Sequence, residues 1–283
     1  MDTRPADLFA SAAPAAARRI RVGIGGWTFA PWRDNFYPKG LVQRRELEYA
    51  SRRLSAIEIN GTFHGPQKPE TFARWASDVP DGFVFALKAP KAVVGRSRWA
   101  PAADAAARFL AGGPAELGDR LGPVLWQFQA GHRFDPDDLD GFLAALPRTT
   151  GGLPLRHVLE VRHPSFACAD YLALARRHGV ATVYTDAAAF PNIADLTADF
   201  AYARLMRSRE HEALGYTAAE LDAWTGHART WAEGGTPAGL PRIGDGDAGA
   251  GAPREVFVFF ISAAKARNPA AAQALLARLS EDA

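Results

Sequence analysis

The sequence predicts an α/β protein whose single domain is a (β/α)8 TIM barrel around a parallel eight-stranded sheet, and three observations lead there. The chain has 283 residues, a length that this fold uses as one domain. Short apolar runs alternate with amphipathic segments, as they do in the βα units of a parallel sheet. Eight such runs can be counted, which is the number of strands that closes this barrel.

The predicted strands are rich in β-branched and aromatic residues, which favour extended backbone. We place them at 20–25, 55–60, 83–88, 121–128, 156–162, 180–185, 200–205 and 255–261. The segments between them are long enough for a helix after most strands.

The predicted helices lie between these strands, and several carry start signals. Asp135 precedes an acidic first turn, and Thr217 has Glu220 three residues later, as in a capping box. We expect helices at 43–54, 69–78, 102–111, 135–146, 168–178, 217–233 and 268–279. The connection 186–199 is short and contains Pro191, so we expect only a turn of helix there.

Two segments lie outside the regular pattern. Residues 1–19 are Ala-rich, contain the acidic Asp2 and Asp7 and lack the basic start of a signal peptide, so we expect a loose N-terminal leader. Residues 234–254 are crowded with Gly, Pro and Asp, and we expect a flexible insert before the last strand. The barrel is predicted to span residues 20–283.

Composition and charge limit the function classes. Hydrophobic residues make up 48% of the chain and charged residues 23%, which is ordinary globular usage. The 33 basic residues are spread along a chain of net charge +2, so we expect no nucleic-acid partner. No apolar run is long enough to predict a membrane span. The lone Cys168 excludes an internal disulfide and suits a reducing, cytoplasmic location.

Polar side chains recur at the carboxyl ends of the predicted strands. Because side chains alternate along a strand, the apolar Ile57 and Ile59 face the helices, and Glu58 then faces the barrel axis. Applied to the other strands, this rule gives an inward polar set of Glu58, Asn60, Lys88, Gln127, Glu160, Arg162, Thr182, Tyr184, Asp186, Tyr202 and Arg204. We expect these residues to meet at the carboxyl-terminal mouth of the barrel, where this fold builds its active sites.

The mixed charges of this set predict acid–base chemistry on a small anionic or polyhydroxylated substrate. We interpret Lys88, Glu160, Glu58 and Asp186 as catalytic, with Lys88 and Glu160 exchanging a proton and Glu58 orienting Lys88. Arginine binds anionic groups in a fixed geometry. The predicted substrate-binding set, in which the two arginines hold the negative groups, is Trp27, Trp32, Asn60, His64, Gln127, Arg162, His163 and Arg204.

These residues also have simpler structural interpretations. The charges could form satisfied ion pairs without chemistry, Trp27 and Trp32 could cap the barrel, and His64 and His163 could be hydrogen-bonded loop residues. No histidine cluster with metal-ligand spacing occurs, and three cations lie close by, so we predict no metal site and no cofactor.

Six segments follow one another between about residues 22 and 232. They are VGIGGWTFAPWRDNFYP, IEINGTFHGPQKPETFARWA, PDGFVFALKAPK, LGPVLWQF, RFDPDDLDGFLAALP and LEVRHPSF. In this order they resemble the blocks of the YecE-like family, a bacterial and archaeal group known as domain of unknown function 72. The resemblance implies a TIM-barrel fold and no established reaction. The positions that match family blocks are Trp27, Trp32, Tyr37, Glu58, Asn60, Thr62, Phe63, Lys88, Gln127, Glu160, Arg162, Pro164, Ser165, Asp186 and Arg204.

Two places depart from the family pattern. His64 stands where the family usually has tyrosine. The last strand continues as FFISAAKARNP, with Ile261 and Ser262 where the family resembles YFNN, and Asn268 lies nearby. Either the substrate differs or this member has lost activity.

The sequence therefore predicts an enzyme whose partner is a small anionic substrate. Two alternatives stay open, a small-molecule-binding barrel without catalysis and a metal-dependent hydrolase.

Overall fold

Eight parallel strands close into a barrel, which confirms the predicted fold class. The computed structural model describes residues 16–96, 98–261 and 263–281. The strands are β1 (Ile20–Gly25), β2 (Ala56–Ile59), β3 (Val84–Lys88), β4 (Leu121–Gln127), β5 (His157–Glu160), β6 (Ala181–Thr185), β7 (Phe200–Leu205) and β8 (Glu255–Phe260). Each strand pairs in parallel with the next, and β8 returns to β1 with Ile20 beside Val256. The predicted strand ends differ from these by at most two residues.

Helices surround this barrel, and all seven predicted helices are present. The α-helices are α1 (Glu46–Ser51), α2 (Gly61–His64), α3 (Pro69–Asp78), α4 (Lys91–Val94), α5 (Ala103–Ala111), α6 (Pro136–Ala145), α7 (Ala169–Arg177), α8 (Ala218–Ala232) and α9 (Asn268–Glu281). Short 3-10 helices lie at Ala17–Arg19, Ala30–Trp32, Gln43–Arg45, Ala100–Ala102, Pro114–Arg120, Pro164–Phe166 and Lys265–Arg267. A small antiparallel hairpin pairs Thr149–Thr150 with Leu153–Pro154.

Capping side chains set the starts of two helices as the sequence predicts. The Thr217 hydroxyl accepts from the Glu220 N–H at 3.2 Å, and the Glu220 carboxylate accepts from the Thr217 N–H at 2.8 Å. The Asp135 carboxylate accepts from the N–H groups of Asp137 and Asp138. These bonds satisfy N–H groups that have no partner inside the helix.

The connection between β6 and β7 contains no helix, so the predicted helical turn in residues 186–199 is wrong. Its backbone and side chains pair instead with the segment 234–254. The Asp195 carboxylate accepts from the N–H groups of Ile243 and Gly244, each at 2.8 Å. Partners outside the connection thus take the role that helical hydrogen bonds would have.

The Gly-rich segment 234–254 lies against the barrel. Leu240 and Ile243 pack against the apolar clusters outside the strands, and Arg254 donates to the carbonyl of Gly249 at 2.9 Å. Its flexibility stays a prediction. The first 15 residues of the predicted leader lie outside the described residues.

The barrel separates an interior layer from the layer under the helices. The interior cluster consists of Ala56, Val84, Ala86, Leu125, Val158, Ala181, Val183, Ala198, Phe200, Tyr202, Phe257, Phe259 and Ile261. Ile57 and Ile59 lie in the outer cluster, as alternation predicts. The middle of the barrel interior is therefore apolar.

Ion pairs and aromatic rings fill the amino-terminal end of the barrel. Glu255 pairs with both Arg21 and Arg156, and the Arg156 guanidinium lies 5.4 Å and 5.1 Å from the ring centres of Phe200 and Phe257. Axial space for a ligand is left at the carboxyl-terminal end.

In the described part of the chain, no helix has both the length and the apolar composition needed to cross a bilayer.

The close approach of β1 to β2 depends on Gly23, which pairs with Ala56. A Cβ atom on Gly23 would lie 2.0 Å from the carbonyl oxygen of Ala56 and 3.2 Å from the Phe259 ring. We expect Gly23→Ala to lower the free energy of unfolding by about 1–3 kcal/mol, since backbone cannot yield as a side chain can. Gly61, in α2, has open space at its Cβ position, and Gly61→Ala is the control. Equal unfolding midpoints in guanidinium for the two variants would contradict this account.

Candidate active site

A fully buried ion cluster lies at the carboxyl ends of β2, β5 and β7. The Arg204 side chain is 2% exposed, and Glu58 and Glu160 are both 0% exposed. Arg204 donates through Nε and Nη2 to the two oxygens of Glu58, each at 3.0 Å. Its third nitrogen, Nη1, donates to Glu160 Oε2. One guanidinium therefore holds two carboxylates from distant parts of the chain.

Neutral and cationic donors complete the hydrogen bonding of these carboxylates. The Tyr202 hydroxyl donates to Glu58 Oε2 at 2.9 Å. Arg162 Nε and Gln127 Nε2 donate to Glu160 Oε1 at 2.6 Å and 3.0 Å. All four carboxylate oxygens thus have donors, as buried charges require.

Electrostatics keep Glu160 ionised despite its burial. Burial alone would raise the pKa of Glu160, but the guanidinium groups of Arg204 and Arg162 outweigh that effect and hold the pKa below its usual value. A carboxylate that stays ionised and has no exposed surface is a poor proton donor to a ligand.

A cavity of about 440 Å³ opens above this cluster, a size typical of small-molecule sites. Its polar lining comes from Asn60, His64, Lys88, Gln127, Arg162, Arg204, Lys265 and Asn268, and its apolar lining from Gly25, Phe63, Phe260 and Ile261. Among the described lining residues there is no Asp or Glu. The cavity therefore has a cationic and amide wall over a sealed layer of carboxylates.

Lys88 is one of two lysines among the described residues of this wall. Its ammonium lies 4.4 Å from the centre of the Phe63 ring. Among the residues that the structure describes, the ammonium has no hydrogen-bond acceptor and no carboxylate at ion-pair distance. The Thr62 hydroxyl donates to the Lys88 carbonyl oxygen at 2.7 Å, which fixes the backbone at the end of β3.

The surroundings of Lys88 disfavour its charged form. Burial lowers the pKa of the Lys88 ammonium, and the Arg204 guanidinium lowers it further. Glu58 and Glu160 oppose this change without cancelling it, because Arg204 already neutralises much of their charge. A half-buried amine of lowered pKa is suited to proton transfer or nucleophilic attack.

Two further cations flank Lys88 in the cavity wall. Arg162 is bonded to Glu160 and lies with its guanidinium carbon 4.3 Å from the centre of the Phe190 ring. Lys265 has its ammonium 4.5 Å from the ring centre of Phe29, and burial lowers its pKa. Both are positioned to attract a negative group.

Sequence reasoning missed Lys265 because alternation applies only within strands. Lys265 lies five residues after β8 ends at Phe260, in a 3-10 helix. Trp32 Nε1 donates to the Lys265 carbonyl oxygen at 2.9 Å, which ties this loop to the first one. The signal in the sequence was a lysine beside the altered last-strand pattern.

The structure brings most of the predicted site residues together. Those at or directly under the cavity are Glu58, Asn60, His64, Lys88, Gln127, Glu160, Arg162 and Arg204. Those elsewhere are Trp27, Trp32, His163 and Asp186.

Asp186 lies in a different cleft, so its predicted place in the mouth is wrong. Its carboxylate accepts from the Met206 N–H, and its cleft of about 270 Å³ also contains Tyr216 and Trp224. Burial raises the pKa of Asp186 to about 6. No hydrogen bond or ion pair joins Asp186 to a described residue of the cavity wall.

The error concerned which side chains of β6 face the barrel interior. We predicted Thr182 and Tyr184 to face inward with Asp186, but Ala181 and Val183 form the interior layer instead. The Thr182 hydroxyl is satisfied on the outside, 3.0 Å from the Tyr171 hydroxyl of α7. A polar side chain in a strand can thus face a helix when that helix supplies a partner.

The two tryptophans do not line the cavity above the ion cluster, and their predicted role in ligand binding stays a prediction. Trp27 packs edge-on against Trp75 of α3, with ring centres 5.2 Å apart. Trp32 is 0% exposed and holds the Lys265 loop. These contacts fit the alternative that they close the barrel.

His163 caps a 3-10 helix and does not line the cavity. Its Nδ1 accepts from the Ser165 N–H at 3.1 Å and lies 2.8 Å from the Ser165 hydroxyl oxygen. This is the hydrogen-bonded loop role that we considered for it.

Ile261, the residue directly after β8, places an apolar side chain in the cavity wall. Ile261 and Asn268 both line the cavity, and the Ser208 hydroxyl donates to the Asn268 side-chain oxygen at 2.9 Å. Ser262, the other altered position, lies outside the described residues.

No group of three or more His, Cys, Asp or Glu side chains that could hold a metal ion occurs in the described residues. The two carboxylates nearest the cavity are engaged by Arg204. This donor set gives no support to the metal-dependent alternative.

Comparison with known proteins finds a family match over most of the chain. A sequence model for a family described as protein of unknown function DUF72 matches residues 21–283. The UPF0759 protein YecE of Escherichia coli K12 is 28% identical over 150 residues, which are 52% of this chain and 50% of that protein. The chain spans about half the length of the curated relatives it matches first.

Solved structures of similar proteins share the fold. A DUF72 family protein from Thermotoga maritima has a TM-score of 0.69 and 19% identity, over 92% of this chain and 98% of that one. A DUF72 family protein from Enterococcus faecalis has a TM-score of 0.65 and 14% identity, over 92% and 94%. At these identities the likeness shows the barrel fold alone.

Removing Arg204 should expose the cost of the buried carboxylates. We expect Arg204→Met to lower the free energy of unfolding at pH 7 by about 3–5 kcal/mol, because two buried charges lose their partner. Adding Glu58→Gln and Glu160→Gln should recover part of the loss. The control is Arg52→Met, since Arg52 forms an exposed pair with Glu48.

The pH dependence follows from the lowered pKa of Glu160. In the wild type its contribution to stability is present above the ordinary glutamate pKa and is lost as the pH falls through the lowered one. The difference in free energy of unfolding between the wild type and Arg204→Met should therefore become smaller at acid pH. Urea unfolding at pH 7 and at acid pH measures the loss of stability in Arg204→Met and its dependence on pH. The account would be contradicted if Arg204→Met lost no more free energy of unfolding than Arg52→Met.

Proposed function

The chain belongs to the DUF72 family, and on this premise we propose that it is an enzyme that binds a small anionic compound at the barrel mouth and uses Lys88 for proton transfer. The family description assigns no function, so the chemistry of the cavity carries the proposal. The supporting observation is the Lys88 amine, which faces the cavity without a partner carboxylate while both neighbouring carboxylates are bound to Arg204.

The wall of the cavity supports an anionic ligand. Lys88, Arg162 and Lys265 supply cationic donors, and Asn60 and Gln127 supply amide groups. These three cations are partly buried, which strengthens such attractions because water screens them less. There is no carboxylate among the described lining residues, and in the described part of the chain neither Lys88 nor Lys265 has an ion-pair partner, which favours an anion over a merely hydroxylated ligand.

The roles proposed from the sequence change in two respects. Glu160 and Arg204 form the support beneath the site, and Lys88 alone transfers the proton. Arg162 and Lys265 hold the negative group, since Arg204 is already saturated by two carboxylates. Glu58 acts on Lys88 through its own charge, which opposes the lowering of the Lys88 pKa, and also by binding Arg204.

A non-catalytic binding barrel is the second candidate. Ile261 supports it, because an apolar side chain lies in the wall where the family pattern resembles asparagines. Such a protein would bind the same anions and leave them unchanged. The expectations of a cytoplasmic location and of no nucleic-acid partner stay predictions.

The binding of inorganic phosphate tests the proposed anion site. We expect inorganic phosphate to bind the wild type in calorimetry, and Lys265→Met to weaken it about tenfold, or 1.4 kcal/mol. Lys91→Met is the control, because Lys91 is an exposed lysine three residues from Lys88. Equal binding by all three proteins would contradict the assigned anion site.

Catalysis is tested on the same proteins with a pool of carboxylic acids and phosphate esters followed by mass spectrometry. At least one compound should be converted by wild type and by Lys91→Met but not by Lys88→Met. Binding without any conversion would favour the binding barrel.

The charge of Lys88 should also lower the stability of the folded protein, because a partly buried charge without an ion-pair partner is unfavourable. Since its pKa is lowered in the folded state, the cost is fully present below that pKa and disappears as the pH rises toward the unfolded value of about 10.4. We therefore expect Lys88→Met to raise the Tm at pH 7, by about 2–4 °C for each kcal/mol removed. Calorimetry at pH 7 and at alkaline pH, with Lys91→Met as control, measures this; a lower Tm for Lys88→Met would show a compensated charge.

A further inference from the structure

We propose that Lys88 is a covalent nucleophile that forms an imine with a small aldehyde or ketone carrying a carboxylate or phosphate group. This inference rests on the proposed anion-binding function and adds to it the class of substrate. The carbonyl would meet the Lys88 amine while the anionic group meets Arg162 and Lys265.

The backbone of Lys88 is held firmly at the edge of the cavity. It stands at the carboxyl end of β3, in register with Leu125 of β4, and its carbonyl is held by Thr62. Side chains on strands are placed more firmly than those on loops. The amine therefore points into the cavity from a rigid base.

The surroundings of Lys88 leave its nitrogen available. In the described part of the chain, the amine contacts the face of Phe63 and has no carboxylate partner. Only the neutral amine attacks a carbonyl, and a pKa lower by one gives about ten times more of it at neutral pH. Burial and the Arg204 charge act in this direction.

Lys265 is less suited to this role. It lies on a 3-10 helix after the last strand, with its ammonium near the faces of both Phe29 and Trp32, at 4.5 Å and 5.4 Å from the ring centres. Two aromatic faces stabilise a cation. Lys265 is therefore assigned to the anionic group of the substrate.

The covalent step balances without any co-reactant. The nitrogen lone pair of neutral Lys88 attacks the carbonyl carbon, the C=O π electrons move to oxygen, and a proton passes from nitrogen to that oxygen. A second proton, the one that left the Lys88 ammonium, lets the hydroxyl depart as water. In sum, an ammonium and a carbonyl give a protonated imine and one water.

A protonated imine withdraws electrons from the neighbouring carbon. This assists cleavage of a C–H or C–C bond there, which is why activated lysines serve such reactions. With such a substrate Lys88 acts as an electron-withdrawing imine, in place of the proton transfer proposed above.

Reductive trapping tests this inference on the whole protein. Wild type is incubated near neutral pH with glyoxylate or pyruvate and cyanoborohydride, which reduces imines to stable amines. The chain has five lysines, at positions 39, 68, 88, 91 and 265, so peptide mass spectrometry resolves each site. Acetaldehyde serves as the uncharged comparison.

We expect a saturable adduct at Lys88 that forms at least about ten times faster than at the exposed Lys91. Inorganic phosphate should slow it, Lys88→Met should abolish it, and Lys91→Met should leave it unchanged. Acetaldehyde should label Lys88 less selectively, because it lacks the anionic group.

Other results overturn the inference in distinguishable ways. If phosphate binds but Lys88 is labelled no faster than Lys91, imine formation is wrong and the anion site stands. If the adduct forms at Lys265 and not at Lys88, the assignment of the nucleophile is wrong. If phosphate does not bind and labelling is unselective, both this inference and the proposed function fail.

Discussion

The geometry of the mouth depends on Arg204, which bonds to Glu58 on one side and Glu160 on the other. Two carboxylates with no exposed surface are tolerable only when every oxygen has a donor. Because one guanidinium satisfies both, it joins β2, β5 and β7 at one level of the barrel. The same arrangement fixes Gln127 and Arg162, which donate to Glu160. An apolar layer lies directly below this level, so the cluster forms the floor of the cavity.

The saturation of both carboxylates determines the character of Lys88. A lysine beside two free glutamates would be a paired, fully charged residue. Here Arg204 takes up the negative charge and adds its own positive charge, and the pKa of Lys88 is lowered by burial and by that charge. The cavity wall thus combines one amine that is readily deprotonated with cations that can retain an anion. Neither property would arise from the same residues in a different pairing.

Much of this arrangement could be predicted from sequence, because alternation within strands is a strict geometric rule. It placed Glu58, Lys88, Glu160 and Arg204 on the inner face. The rule failed in β6, where the Thr182 hydroxyl meets Tyr171 of α7. The rule does not apply to Lys265, which lies after the end of β8. It also does not say which charged side chains form ion pairs with one another. That Arg204 binds both glutamates is a matter of side-chain length and direction, which the order of residues does not contain.

The central claim is that Lys88 is left without a counter-charge, and the titration of its own side chain tests this most directly. In protein labelled with 13C at lysine Cε, each of the five lysines gives a resonance that shifts as its amine loses a proton. The account predicts that Lys88 titrates clearly below the ordinary lysine pKa of about 10.4. Titration of Lys88 at or above that ordinary value would show that a carboxylate compensates its charge and would contradict the account.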